Sequence, residues 1–161
     1  MHLGYLLALP LLASVFRVVD FARSDGEVRI AIWDCAWDQL RAMAVFGILG
    51  PPLGLLPFAL VGLVMNGEFE GIQLLVPLSF LSYVLGTVPA LATAAAVGAI
   101  APWLAGWTAL WACCVIGVVQ SLIWFIAADF AGLLVLGAAC GGMASVACAR
   151  VFFGSPGKAR H

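Results

Sequence analysis

Long uncharged runs separated by short polar breaks divide the chain. Ala42 to Gly67 carries no charge and predicts a first membrane span at residues 43–65. Gly71 to Ala128 is a second uncharged run of fifty-eight residues. As one helix it would be about 87 Å long, nearly three hydrocarbon cores, so it must fold back. Proline disfavours helix in the residue before it, which puts the break at Ala101-Pro102-Trp103 and predicts spans at 72–100 and 104–126. Asp129 is a lone charge that marks a tight turn, and residues 130–149 form a fourth apolar run ended by Arg150.

Before residue 43 the pattern is amphipathic. Leu11, Leu12, Val15, Phe16, Val19 and Ala22 follow helical spacing, with Ser14, Arg17, Asp20 and Ser24 on the other side. This favours a helix lying in the membrane interface. The apolar part, Leu3 to Phe16, is fourteen residues, short of the roughly 20 that a span needs. A further span, an uncleaved anchor and a cleaved signal are the other readings, although a signal should begin with positive charge and only His2 is present. Ser24-Asp25-Gly26 signals a turn. Ile30, Trp33, Ala36, Trp37, Leu40 and Ala44 then share a face opposite Asp34, Asp38 and Arg41, and the two tryptophans suit an aromatic belt.

The fold expected is therefore all-α: an integral membrane four-helix bundle (43–152) preceded by an N-terminal amphipathic, interfacial region (1–42) and followed by a disordered basic tail (153–161). Every Lys and Arg lies before the first span or after the fourth. The positive-inside rule then places both termini in the cytoplasm, and four spans satisfy it. Composition agrees: 65% of residues are hydrophobic and 9% charged, where a soluble domain is nearer half apolar and a quarter charged. The lipid bilayer is the expected surroundings. A net charge of −1 gives no reason to expect nucleic acid.

Small residues recur at helical spacing. Gly86, Ala90, Ala94 and Gly98 make one stripe, along which another helix can approach closely. Val97 falls off that stripe and is expected to tolerate leucine. The third span carries Ala105, Ala109, Cys113, Gly117 and Ser121; the fourth carries Gly137, Gly141 and Ser145. Proline breaks are the best functional candidates. Gly50, Pro51, Pro52, Gly54 and Pro57 interrupt the first span and predict a kink or a short unwound piece; Pro89 frees the Leu85 carbonyl in the second. Tyr83, Thr87 and Thr93 are near enough to re-satisfy freed groups, and non-helical backbone at this depth usually lines a cavity. Gln120 is the most polar mid-membrane group, read as an interhelical hydrogen bond or a solute contact.

Catalytic and cofactor chemistry is not indicated. The two histidines stand at the ends of the chain, and no Cys–His cluster has metal spacing. Asp34 with Asp38, and Glu68 with Glu70, read as solvated polar faces. Cys113, Cys114, Cys140 and Cys148 sit in apolar runs as small hydrophobes. No enzyme, cofactor or metal site is expected.

The segment Tyr83-x-x-Gly86-x-x-Pro89-Ala90-x-x-Thr93 resembles one in small, uncharacterised bacterial inner-membrane proteins with about four spans. The resemblance covers some fifteen residues and ends at Ala94, where a second glycine is expected. It implies a bacterial inner-membrane location and no activity. The function expected is a non-catalytic membrane protein acting through helix packing, by self-association or as a small subunit beside another membrane protein. The alternative is a small transporter or channel for an uncharged or hydrophobic solute, using the proline-broken first span.

Overall fold

A computed structural model describes residues 3–24, 27–66 and 72–154, with backbone alone at 3, 58–66, 72–76, 78, 81 and 131. The described chain is helical throughout: α1 (Leu3–Arg23), α2 (Val28–Asn66), α3 (Ile72–Ile100), a 3-10 turn at Ala101–Trp103, α4 (Gly106–Ala127), a 3-10 turn at Ala131–Leu133 and α5 (Leu134–Phe153). Five of these helices are long and apolar enough to cross a membrane, against the four expected.

The fifth is α1. Its pattern looks interfacial because Arg17 and Asp20 share a face, but Arg17 is neutralised by a partner and buried within the protein. Leu6, only 2% exposed, lies beside Gln120 far along α4, while the Phe16 ring meets Trp103 ahead of α4. The helix therefore runs antiparallel to α4 along the bundle.

The second difference is α2. The amphipathic segment and the first span form one helix of 39 residues, about 58 Å long. Its backbone stays helical through Gly50-Pro51-Pro52-Leu53-Gly54, with no unwound piece. The fold-back at Ala101–Trp103 falls where proline predicts it. Asp129 turns the chain in the left-handed region at φ 60°, which Asp tolerates better than most residues, and α5 begins at Leu134 rather than 130. The turn at 67–71 and the tail from 155 lie outside the described residues, as do Glu68 and Glu70.

Alanine and glycine decide how the helices meet. A Cβ added at Gly98 would stand 2.5 Å from Gln39 Cα, and one at Gly50 3.3 Å from Ala90 Cβ. A Cβ at Gly86 would stand 3.6 Å from Pro51 Cα. So α3 descends α2 in antiparallel fashion along small side chains. Between α4 and α5 the fit is reciprocal. A Cβ at Gly117 would strike the Ser145 hydroxyl and one at Gly141 the Ser121 hydroxyl, with each glycine's carbonyl under 3 Å from the other's new methyl. The core is Ala42, Phe46, Ala94, Val97, Leu110, Cys113, Cys148 and Ala149. Val97 is 0% exposed, so the view that it lies free of packing is corrected: alanines on every side of α3 are covered, not one stripe alone.

Outside, the polarity is inverted relative to a water-soluble domain. Val135 is 86% exposed, Phe80 73% and Leu12 70%. Cations gather at one end: Arg17 reaches Gly98 near the end of α3, Arg41 lies over the Trp37 ring and Arg150 over Trp107.

Candidate functional site

Seven described prolines stand where a backbone N–H would otherwise serve the carbonyl four residues earlier. Each freed carbonyl within an apolar bundle costs free energy unless another donor reaches it. Three are served by side chains from other helices. Pro10 frees Leu6, whose carbonyl accepts Gln120 Nε2 at 3.3 Å. Pro52 frees Ile48, whose carbonyl accepts the Tyr83 hydroxyl at 2.9 Å. Pro102 frees Gly98, whose carbonyl accepts Arg17 Nη1 at 3.0 Å. The same guanidinium donates Nη2 to Asp38 Oδ2 at 2.8 Å, and Gln39 Nε2 donates to Ser14 Oγ and the Ala95 carbonyl. Thus α1 is tied to α3 and α4 by donors on carbonyls that the prolines free, and to α2 by the Arg17–Asp38 and Gln39–Ser14 bonds.

Pro51, Pro57, Pro77 and Pro89 free the carbonyls of Gly47, Leu53, Gln73 and Leu85, and of these four only Leu85 is among the described residues that line a cavity. The Thr87 hydroxyl donates to Tyr83's carbonyl, Tyr83 itself reaches Ile48, and no described side chain donates to Leu85. Leu85 and Pro89 instead form part of the wall of a cavity of about 210 Å³ among α2, α3, α4 and α5. Gly50, Pro51 and Gly54 contribute from α2, Gly86 and Ala90 from α3. Opposite them stand Ser121 and Phe125 of α4 and Gly137, Cys140, Gly141 and Ser145 of α5. The polar lining side chains are the hydroxyls of Ser82, Thr93, Ser121 and Ser145; none is charged. Toward the arginine end the core cluster around Phe46 closes over it.

Of the residues read from the sequence as kink or cavity, Gly50, Pro51, Gly54 and Pro89 line this space. Pro52, Pro57, Tyr83 and Gln120 do not. Gln120 is fully buried and turned to α1; its Oε1, and Trp124 Nε1 one turn on, are buried without a partner. From the packing stripe, Gly86 and Ala90 line the cavity, whereas Ala94 and Gly98 belong to the closed end. The α5 side of the cavity was missed: its glycines and serine read as packing, and nothing in a single sequence says that α2 lies opposite them. Asp38 is an ion-pair partner rather than half of a carboxylate pair. Among the described residues, no group of three or more His, Cys, Asp or Glu is placed to hold a metal ion.

The class this defines is an all-helical chain with five helices long and apolar enough to cross a membrane. No protein-family model, curated protein or solved structure matches it.

Proposed function

We propose that this is a multi-pass membrane protein that holds an uncharged, largely apolar molecule in the cavity among α2–α5, as a binding or transport protein. The uncharged lining carries the reading. A cavity of about 150 Å³ lined by apolar side chains is enough to hold benzene, and the space here is about 210 Å³. The cluster of Phe46, Val97, Cys113 and Cys148 closes the arginine end, which favours a pocket over a continuous pore. The small-residue faces of α3, α4 and α5 meet other helices of the same chain. They give no separate argument for self-association.

Arg17, Arg41 and Arg150 share one end of the bundle. By the positive-inside rule that end is cytoplasmic, and the resemblance of the Tyr83–Thr93 segment supports a bacterial inner membrane. With α1 crossing as well, the N-terminus faces the opposite side.

Gly54→Leu tests the pocket. A methyl at Gly54 meets Ala144 Cβ, Cys140 Cβ and the Cys140 carbonyl oxygen at 3.9 Å, ordinary contact across the cavity, so a larger apolar side chain there takes up cavity space. An apolar aryl diazirine should label the cavity face of α5 saturably in the unmodified protein, and Gly54→Leu should abolish that saturable fraction. Equal labelling of both proteins would refute the pocket.

A further inference from the structure

Resting on that reading, the wall of the cavity narrows the chemistry of what it holds. Leu85's carbonyl has Pro89 where its helical partner would be, so the usual N–H is missing. Of the other six freed carbonyls, those of Leu6, Ile48 and Gly98 each receive a donor from another helix, and those of Gly47, Leu53 and Gln73 belong to residues that are not among the described ones lining the cavity. Leu85 receives none from a described side chain, and both it and Pro89 line the cavity. The hydroxyls nearby do not supply the missing donor: Ser82 donates to the Ser79 carbonyl and Thr87 to the Tyr83 carbonyl. Ser121 and Ser145 are on the far wall, directed at the glycines of the opposite helix.

We propose that the ligand is a compact apolar molecule with one hydrogen-bond donor, such as an alcohol, and that the donor bonds to the Leu85 carbonyl exposed by Pro89. A cation is the other species that carbonyls attract. It is disfavoured because no carboxylate lines the space and one freed carbonyl with scattered hydroxyls falls short of the six or more oxygens of a calcium site. An apolar body satisfies the rest of the wall, and the hydroxyl satisfies the one proline-freed carbonyl whose residue is among the described ones lining the cavity. Proline here does what it does at Ile48, except that the donor comes from outside the chain.

The experiment uses the full chain in detergent and competition against the diazirine label. Octanol and nonane have equal numbers of heavy atoms and differ by one donor; their concentrations are expressed per mole of detergent to remove partitioning. One neutral hydrogen bond corresponds to roughly a threefold to tenfold preference. Octanol should displace the label at that much lower concentration than nonane. In Pro89→Ala, alanine supplies the helical N–H to Leu85 and is a good helix former. The preference should vanish there while nonane still competes. Equal competition in the unmodified protein, or a preference that survives Pro89→Ala, overturns the donor assignment. If those outcomes arise while Gly54→Leu still abolishes labelling, the pocket stands and only its donor-bearing ligand fails. Labelling indifferent to Gly54→Leu overturns both.

Discussion

Proline inside a helix costs about 3 kcal/mol or more when nothing compensates, because a hydrogen bond is lost and the ring crowds the preceding turn. The Tyr83 hydroxyl on the Ile48 carbonyl is compensation of this kind, and it can be isolated. Tyr83→Phe should destabilise the protein by about 1 kcal/mol, the net value of one hydrogen bond. In a Pro52→Ala background the Ile48 carbonyl regains its N–H, and the same change should cost almost nothing. A double-mutant cycle on detergent melting measures the difference; additive effects would show that Tyr83 does not answer Pro52. Glycine positions can be ranked in the same way. Gly98→Ala drives a methyl to within 2.5 Å of Gln39 Cα and 2.8 Å of its N, atoms of a backbone that cannot step aside. It should cost about 1–3 kcal/mol, whereas Gly54→Ala, with 3.9 Å of room, should leave the melting temperature unchanged. What was legible at this scale is which carbonyl a proline frees, since that follows from the four-residue offset. Which donor answers was not legible. Gln120 lies 114 residues from Leu6 and Arg17 lies 81 from Gly98, and only the fold joins them.

Helices α3, α4 and α5 were readable from charge breaks and proline, each to within a few residues of its bounds. With α1 and α2 the polar pattern misled, for a physical reason. A charged face predicts water when the charge has no partner, but Arg17 has both Asp38 and the Gly98 carbonyl, so its face turns inward. In α2 the prolines suggested interruption, yet the neighbouring helix supplies the bond that Pro52 removes. The attachment of α1 should therefore depend on one side chain. Arg17→Met keeps much of the apolar stem and removes both hydrogen bonds. Amide hydrogen exchange in residues 3–23 should rise, while exchange in α4 and α5, joined by their reciprocal glycine–serine contacts, should stay as it was. Unaltered exchange in α1 would show that its apolar contacts alone hold it.

For the whole molecule, the number of crossings decides orientation. A reporter fused after His161 should read as cytoplasmic, one within 67–71 as periplasmic and one ahead of Leu3 as periplasmic. A cytoplasmic N-terminus would return α1 to the membrane surface. Composition made the all-helical apolar architecture legible, but it could not tell a helix beside the bundle from one within it, because both are amphipathic. The cavity was half legible, from its prolines on α2 and α3; its other wall is made by helices that come last in the chain. That order has a consequence for biogenesis. A ribosome delivers the Leu6 carbonyl, already deprived of its N–H by Pro10, long before it delivers Gln120. Until α4 enters the bilayer, the first helix carries an unanswered carbonyl and must shelter it in water, in headgroups or against the insertion machinery. Helix α1 is thus made before α4 but finds its seat only after it.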